Sequence, residues 1–66
     1  MRMNLKLLRI KKCLTQEEVS AALGYKEAYY GHVERGSQRG SAVFWNRLQN
    51  FFGLTELEIK ELKKND

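Results

Sequence analysis

The sequence predicts an all-α domain, a compact bundle of five helices, and three observations carry that expectation. Thr15 with Glu18, and Thr55 with Glu58, have the spacing of a capping box, in which the hydroxyl accepts from a backbone N–H and the carboxylate reaches back to the threonine N–H. Apolar residues recur at three- and four-residue intervals after each box. Gly24, Gly36 and Gly53 then follow the periodic stretches, where a left-handed residue ends a helix. Sixty-six residues with no Pro and a single Cys allow one domain, residues 1–66, with no disulfide framework. Helix packing has to supply the stability.

The first helix runs from about Asn4 to Lys12, with Leu5 and Leu8 inward and Lys6, Arg9, Lys11 and Lys12 largely outside. The second opens at Gln16 behind the Thr15 box, sets Val19 and Leu23 on one face with Ser20 and Ala22 as small neighbours, and stops at Gly24. A third, from Lys26 or Glu27 to Arg35, turns Tyr30 and Val33 inward and leaves Glu27, Ala28 and His32 on other faces. Ser41 caps a fourth helix ending near Phe52, with Ala42, Trp45, Leu48 and Phe52 at core spacing. That spacing leaves Val43, Phe44 and Phe51 as an apolar surplus. The last helix follows Thr55, with Leu57, Ile59 and Leu62 apolar and a basic end at Lys63 and Lys64 that suits the helix dipole.

Charge is unevenly placed along the chain. The net charge is +4, yet Met1 to Leu14 holds five basic residues and no acid, whereas Thr15 to Gly36 holds two basic and four acidic residues. Residues 37–66 carry five basic and four acidic. The second and third helices, two short helices joined by a glycine turn at residues 16–35, match a helix-turn-helix built for the DNA major groove. A DNA binder sets positive charge against phosphate, and here most of it lies on the first helix. With one His, one Cys and Asp only at Asp66, the sequence supplies no acid–base pair, nucleophile–base pair or metal set. Catalysis, metal and cofactor are therefore not expected. No apolar run reaches membrane-span length, and Met1 to Leu14 is too charged for a signal-peptide centre, so a cytoplasmic protein without membrane contact is expected.

The segment LTQEEVSAALGYKEAYYGHVERG, from Leu14 to Gly36, resembles the helix-turn-helix of the lambda-repressor/Cro-like family, also called the xenobiotic response element family. The similarity continues through SAVFWNRLQNFFGLTELEIKEL to about Leu62. The resemblance implies a sequence-specific DNA-binding transcriptional regulator of the small phage or mobile-element repressor or Cro-like type. Its recognition helix, about 27–35, would enter the major groove of a double-stranded operator. A second reading keeps the fold and changes the partner: an antirepressor or modulator that holds another regulator through Glu27, Tyr29, Tyr30 and His32. Fold alone does not choose between them.

By the same resemblance Gln16 binds a backbone phosphate and braces the recognition helix, and Glu27, Ala28 and His32 fall at base-edge positions. As chemistry, Glu accepts from cytosine N4, Ala meets a thymine methyl, and His donates to guanine N7 or O6. Glu27 is also repelled by phosphate, and Tyr29 serves equally as a backbone contact or as an aromatic packed at the helix edge. Lys26, Arg35, Ser37, Gln38 and Arg39 complete the DNA-contact set, the last four in and before a loop that in relatives meets phosphate. Arg9 and Glu34 match a partly buried salt bridge.

Three residues depart from the family pattern. Cys13 replaces the usual left-handed Gly, Lys26 replaces a Ser, Thr or Asp cap, and Gly31 interrupts the recognition helix at a cost of roughly 0.5–1 kcal/mol relative to Ala. Two readings of this weak recognition helix stand: it orders fully only against a partner, or Gly31 permits close approach of another backbone. For the apolar surplus two outcomes stand. Phe51 with Ile59 and Leu62 forms a two-fold homodimer contact, giving half-sites about 34–36 Å apart, or the fifth helix folds over Phe51 as core.

Overall fold

Thr15 and Thr55 each hold the start of a helix in the computed structural model, which describes residues 1–64, without the Glu27 side chain. Thr15 Oγ1 accepts from the Glu18 N–H at 3.1 Å while the Thr15 N–H donates to Glu18 Oε1 at 2.8 Å. The Thr55 box repeats this at 3.2 and 2.9 Å with Glu58. Together with a Ser41 cap on the Phe44 N–H, these fix three of five helices. The order is α1 (Met3–Lys11), α2 (Gln16–Ala22), α3 (Glu27–Arg35), α4 (Ala42–Phe52) and α5 (Glu56–Lys63), with no strand among the described residues.

The ends of α1 and α3 show the cost of departing from ideal chemistry. Cys13 takes a left-handed φ of 59°, the one non-glycine among the described residues to do so. Lys26 stands at the N-cap of α3 without a side-chain cap hydrogen bond, so α3 starts uncapped. Gly36 ends that helix at φ 89°, a conformation glycine adopts without a Cβ clash.

The core forms where the five helices converge. Leu5 of α1, Val19 and Leu23 of α2, Tyr30 and Val33 of α3, Leu48 of α4, and Ile59 and Leu62 of α5 are buried around Phe44 and Trp45. Phe44 is the hub: the rings of Tyr25, Tyr29, Tyr30 and Trp45 surround it with centroids at 5.7, 5.5, 6.4 and 5.0 Å. The expected surplus at Phe44 is therefore core, and Ala42 is exposed in its place. Leu57 also departs from expectation. It is 71% exposed on the outer side of α5, because Ile59 and Leu62 take the inward positions.

Arg2 ties the bundle together from the N-terminal side. Buried against Trp45 at 5.6 Å from the ring centroid, its guanidinium donates to the carbonyls of Val33 (2.7 Å), Gln38 (2.9 Å) and Lys63 (3.0 Å). One side chain thus satisfies the end of α3, the loop after it and the end of α5.

Candidate nucleic-acid interface

The α2–α3 unit is built around one turn. The Ser20 hydroxyl donates to the Lys26 carbonyl, the Tyr25 N–H donates to the Ser20 carbonyl at 2.9 Å, and Arg47 from α4 caps the Leu23 carbonyl at 2.9 Å. Arg47 also lies 5.5 Å from the Tyr25 ring centroid, a cation–π placement that holds the turn to α4. The angle between the two helices is thereby set by Ser20, Tyr25 and Arg47.

Glu34 sets the rotation of α3 about its own axis. Its side chain is 2% exposed, accepts from Arg9 Nε at 2.8 Å and Nη2 at 3.2 Å, and also accepts from Gln16 Nε2 at 3.2 Å. Arg9 gives its remaining Nη1 to the Leu14 carbonyl at 2.7 Å. Burial pushes the Glu34 carboxyl upward, but the bonds from Arg9 and Gln16 outweigh it and hold the group below the ordinary glutamate range. The same pairing raises the Arg9 guanidinium, so both partners stay charged. Beside them Tyr30 is fully buried, and burial first, the Glu34 charge second, drive its phenol well above the usual tyrosine value. With Glu34, Tyr30 and Val33 facing inward, the opposite side of α3 faces solvent.

That outer side carries Ala28, His32 and Arg35, all exposed, with Lys26, Ser37, Gln38 and Arg39 exposed at its two ends. Glu27 opens α3, and its side chain lies outside the described residues. Arg35 Nη2 meets His32 Nδ1 at 3.2 Å, and Ser37 Oγ lies 3.4 Å from the same nitrogen. Because arginine only donates, that contact fits the tautomer in which Nδ1 accepts and Nε2 carries the hydrogen. Ser37 Oγ also donates to the His32 carbonyl at 3.1 Å, and the Arg39 carbonyl accepts from Trp45 Nε1 at 3.1 Å. The loop backbone is held inward, and its side chains are outward.

Other predicted positions are placed differently. Tyr29 is half-buried, stacked on Tyr25 at 4.7 Å and edge-on to Phe44, so most of its ring is packing. Phe51, Ile59 and Leu62 do not form one exposed patch: Phe51 is 45% exposed, whereas Ile59 and Leu62 are buried inside the chain's own core. The fifth helix turns those two side chains inward, beside Leu5 and Trp45, and leaves Phe51 outside.

Two arginines and one glycine matter more than the sequence suggested. In the sequence Arg2 is one of the five basic residues of Met1 to Leu14 and Arg47 belongs to no motif, yet both cap carbonyls across long sequence separations. Gly31 is buried beneath Gln16 and Arg35, a role visible in sequence only as an uncommon glycine inside a helix. Among the described residues, no group of His, Cys, Asp and Glu is placed to hold a metal ion, and no helix is long and apolar enough to cross a membrane.

Fold and surface together define a helix-turn-helix module whose third helix is braced from behind and open in front. The pattern of the helix-turn-helix domain family matches residues 2–62, and the chain belongs to that family, of the Cro/lambda-repressor kind. It is similar to the uncharacterized HTH-type transcriptional regulator y4dJ of Sinorhizobium fredii, at 34% identity over 56 residues that cover 85% of this chain and 73% of the relative. No solved structure matches it.

Proposed function

We propose that this chain is a sequence-specific DNA-binding transcriptional regulator of the small phage or mobile-element repressor or Cro-like type, acting in the cytoplasm on a double-stranded operator. The observation that carries the reading is the division of α3 into two sides. Glu34, clamped by Arg9 and Gln16, fixes the inner side, and Ala28 and His32 stand exposed on the outer side between Lys26 and the loop of Ser37 to Arg39. A helix presented in this way fits the major groove, with the flanking cations at phosphate. His32, with Nδ1 occupied by Arg35, is a donor to guanine O6 or N7. Gln16, half-buried, gives one amide hydrogen to Glu34 and keeps a second for phosphate. Any two-fold contact between copies would rest on Phe51 without Ile59 and Leu62.

Selection of duplexes from a randomised pool, followed by gel-shift titration at several salt concentrations, tests this. A preferred sequence is expected, with affinity falling linearly on a logarithmic salt scale. Gln16→Ala and Arg39→Ala should each weaken all sequences alike, and Arg39→Ala, which removes a cation, should also reduce the salt slope by about one. Selection of no duplex, with a second regulator bound through Tyr29 and His32 instead, would favour the antirepressor reading and end the DNA one.

A further inference from the structure

We propose that the outer face of α1 is a docking site for an acidic amphipathic helix of another protein. Met3, Leu7 and Ile10 are 40%, 55% and 50% exposed, and their spacing of four and three residues sets them in one stripe along about two helical turns. Leu5 and Arg9, which hold α1 to the core and to Glu34, leave the helix on the other side. The first helix is therefore apolar on two opposite faces, and the fold uses only one. A single exposed apolar residue is ordinary, but three in register on a nine-residue helix form a patch of the kind that marks an interface.

Charge identifies the occupant. Lys6 and Lys11 border the stripe on its two sides, residues 1–14 contain no acid, and the carboxylates of Glu58 and Glu61 on α5 lie beyond the stripe, beside Asn4 and Leu8. A partner helix with apolar anchors at i, i+4 and i+7 and carboxylates beside them matches the surface in shape and in sign. A second copy of α1 does not match it, because Lys6 and Lys11 of each chain would face one another. The stripe also points away from α3, so a partner can be held while α3 faces a duplex.

The test is a titration of the full chain, followed by amide resonances, with a synthetic helical peptide bearing Leu at i, i+4 and i+7 flanked by Glu. Shifts are expected at Met3, Lys6, Leu7, Ile10 and Lys11, weakening with salt, and absent for a peptide with Lys in place of Glu. Leu7→Glu should weaken the peptide about tenfold or more while leaving the circular dichroism spectrum unchanged. No shift in the stripe at about 1 mM peptide, or binding insensitive to Leu7→Glu, overturns the proposal. So does self-association through the stripe in sedimentation, or a stripe that answers only to phosphatidylserine vesicles and not to the peptide.

Discussion

A Cβ on Gly31 would stand 2.9 Å from Gln16 Oε1, closer than a real Cβ can come, and 3.2 Å from Arg35 Nη1. The bare backbone of α3 is thus the floor on which the Gln16 amide lies while it bonds Glu34. Gly31→Ala gains roughly 0.5–1 kcal/mol of helix propensity and loses a hydrogen bond of about 0.5–1.5 kcal/mol. Urea denaturation should therefore give a stability within about 1 kcal/mol of the parent. The Gln16 side-chain amide resonances should nevertheless move toward free-solvent values.

Removing Arg9 has the opposite character. Arg9→Ala leaves the Glu34 carboxylate, 2% exposed, without its main partner, and unpaired buried charges of this kind cost about 3–5 kcal/mol. Since Arg9 keeps 12% exposure and water can partly replace it, the lower end, about 3 kcal/mol, is expected. Chemical denaturation measures it, and Arg9→Met with Glu34→Leu should recover much of the loss.

Acid should act on the same pair. The Glu34 carboxyl is held below its unfolded value of about 4.3, so its contribution is complete above that pH and is lost as pH falls through the lower folded value. Urea midpoints measured from pH 7 to pH 3 should fall, and Glu34→Gln should flatten that part of the curve. Tyr30 works in the other direction: its folded value is raised, so its contribution is intact below about pH 10 and declines above it as the unfolded phenol ionises.

Cys13 offers a gain. With φ at 59° it occupies a region where a side chain costs about 1–2 kcal/mol, partly offset by the greater freedom of glycine in the unfolded chain. Cys13→Gly should stabilise the domain by about 0.5–1 kcal/mol, read as a higher thermal midpoint.

Arg2 gives the sharpest spectroscopic test. Arg2→Met keeps an apolar stem over Trp45 but removes three carbonyl contacts, at a cost of about 2–4 kcal/mol. Trp45 emission should shift before global unfolding, as the loop that bonds its indole loosens.

What could be read from sequence followed from how locally each feature is determined. Thr15 with Glu18, Thr55 with Glu58, and Ser41 specify helix starts within four residues, and all three caps form. Phe44 was harder, because α4 buries adjacent residues, Phe44 and Trp45, on a stripe wide enough for both. Only the approach of Tyr25, Tyr29 and Tyr30 from α3 and its preceding turn decides that Phe44 and not Ala42 is inside. Arg2, Arg47 and Gly31 have partners 15 or more positions away, and nothing adjacent to them in sequence announces those partners. In the candidate site, Lys26, Ala28, His32, Arg35 and Arg39 are exposed, while the burial of Ile59 and Leu62 depended on the packing of a whole helix.

The Arg2 guanidinium reaches Lys63, 61 positions along the chain. Val33 and Gln38 can meet Arg2 without α5, but the clasp is complete only with α5 folded back onto the N-terminal side. An opening of α5 would remove part of the support at the end of α3. A protease that trims α5 should therefore loosen the far end of α3 without touching it.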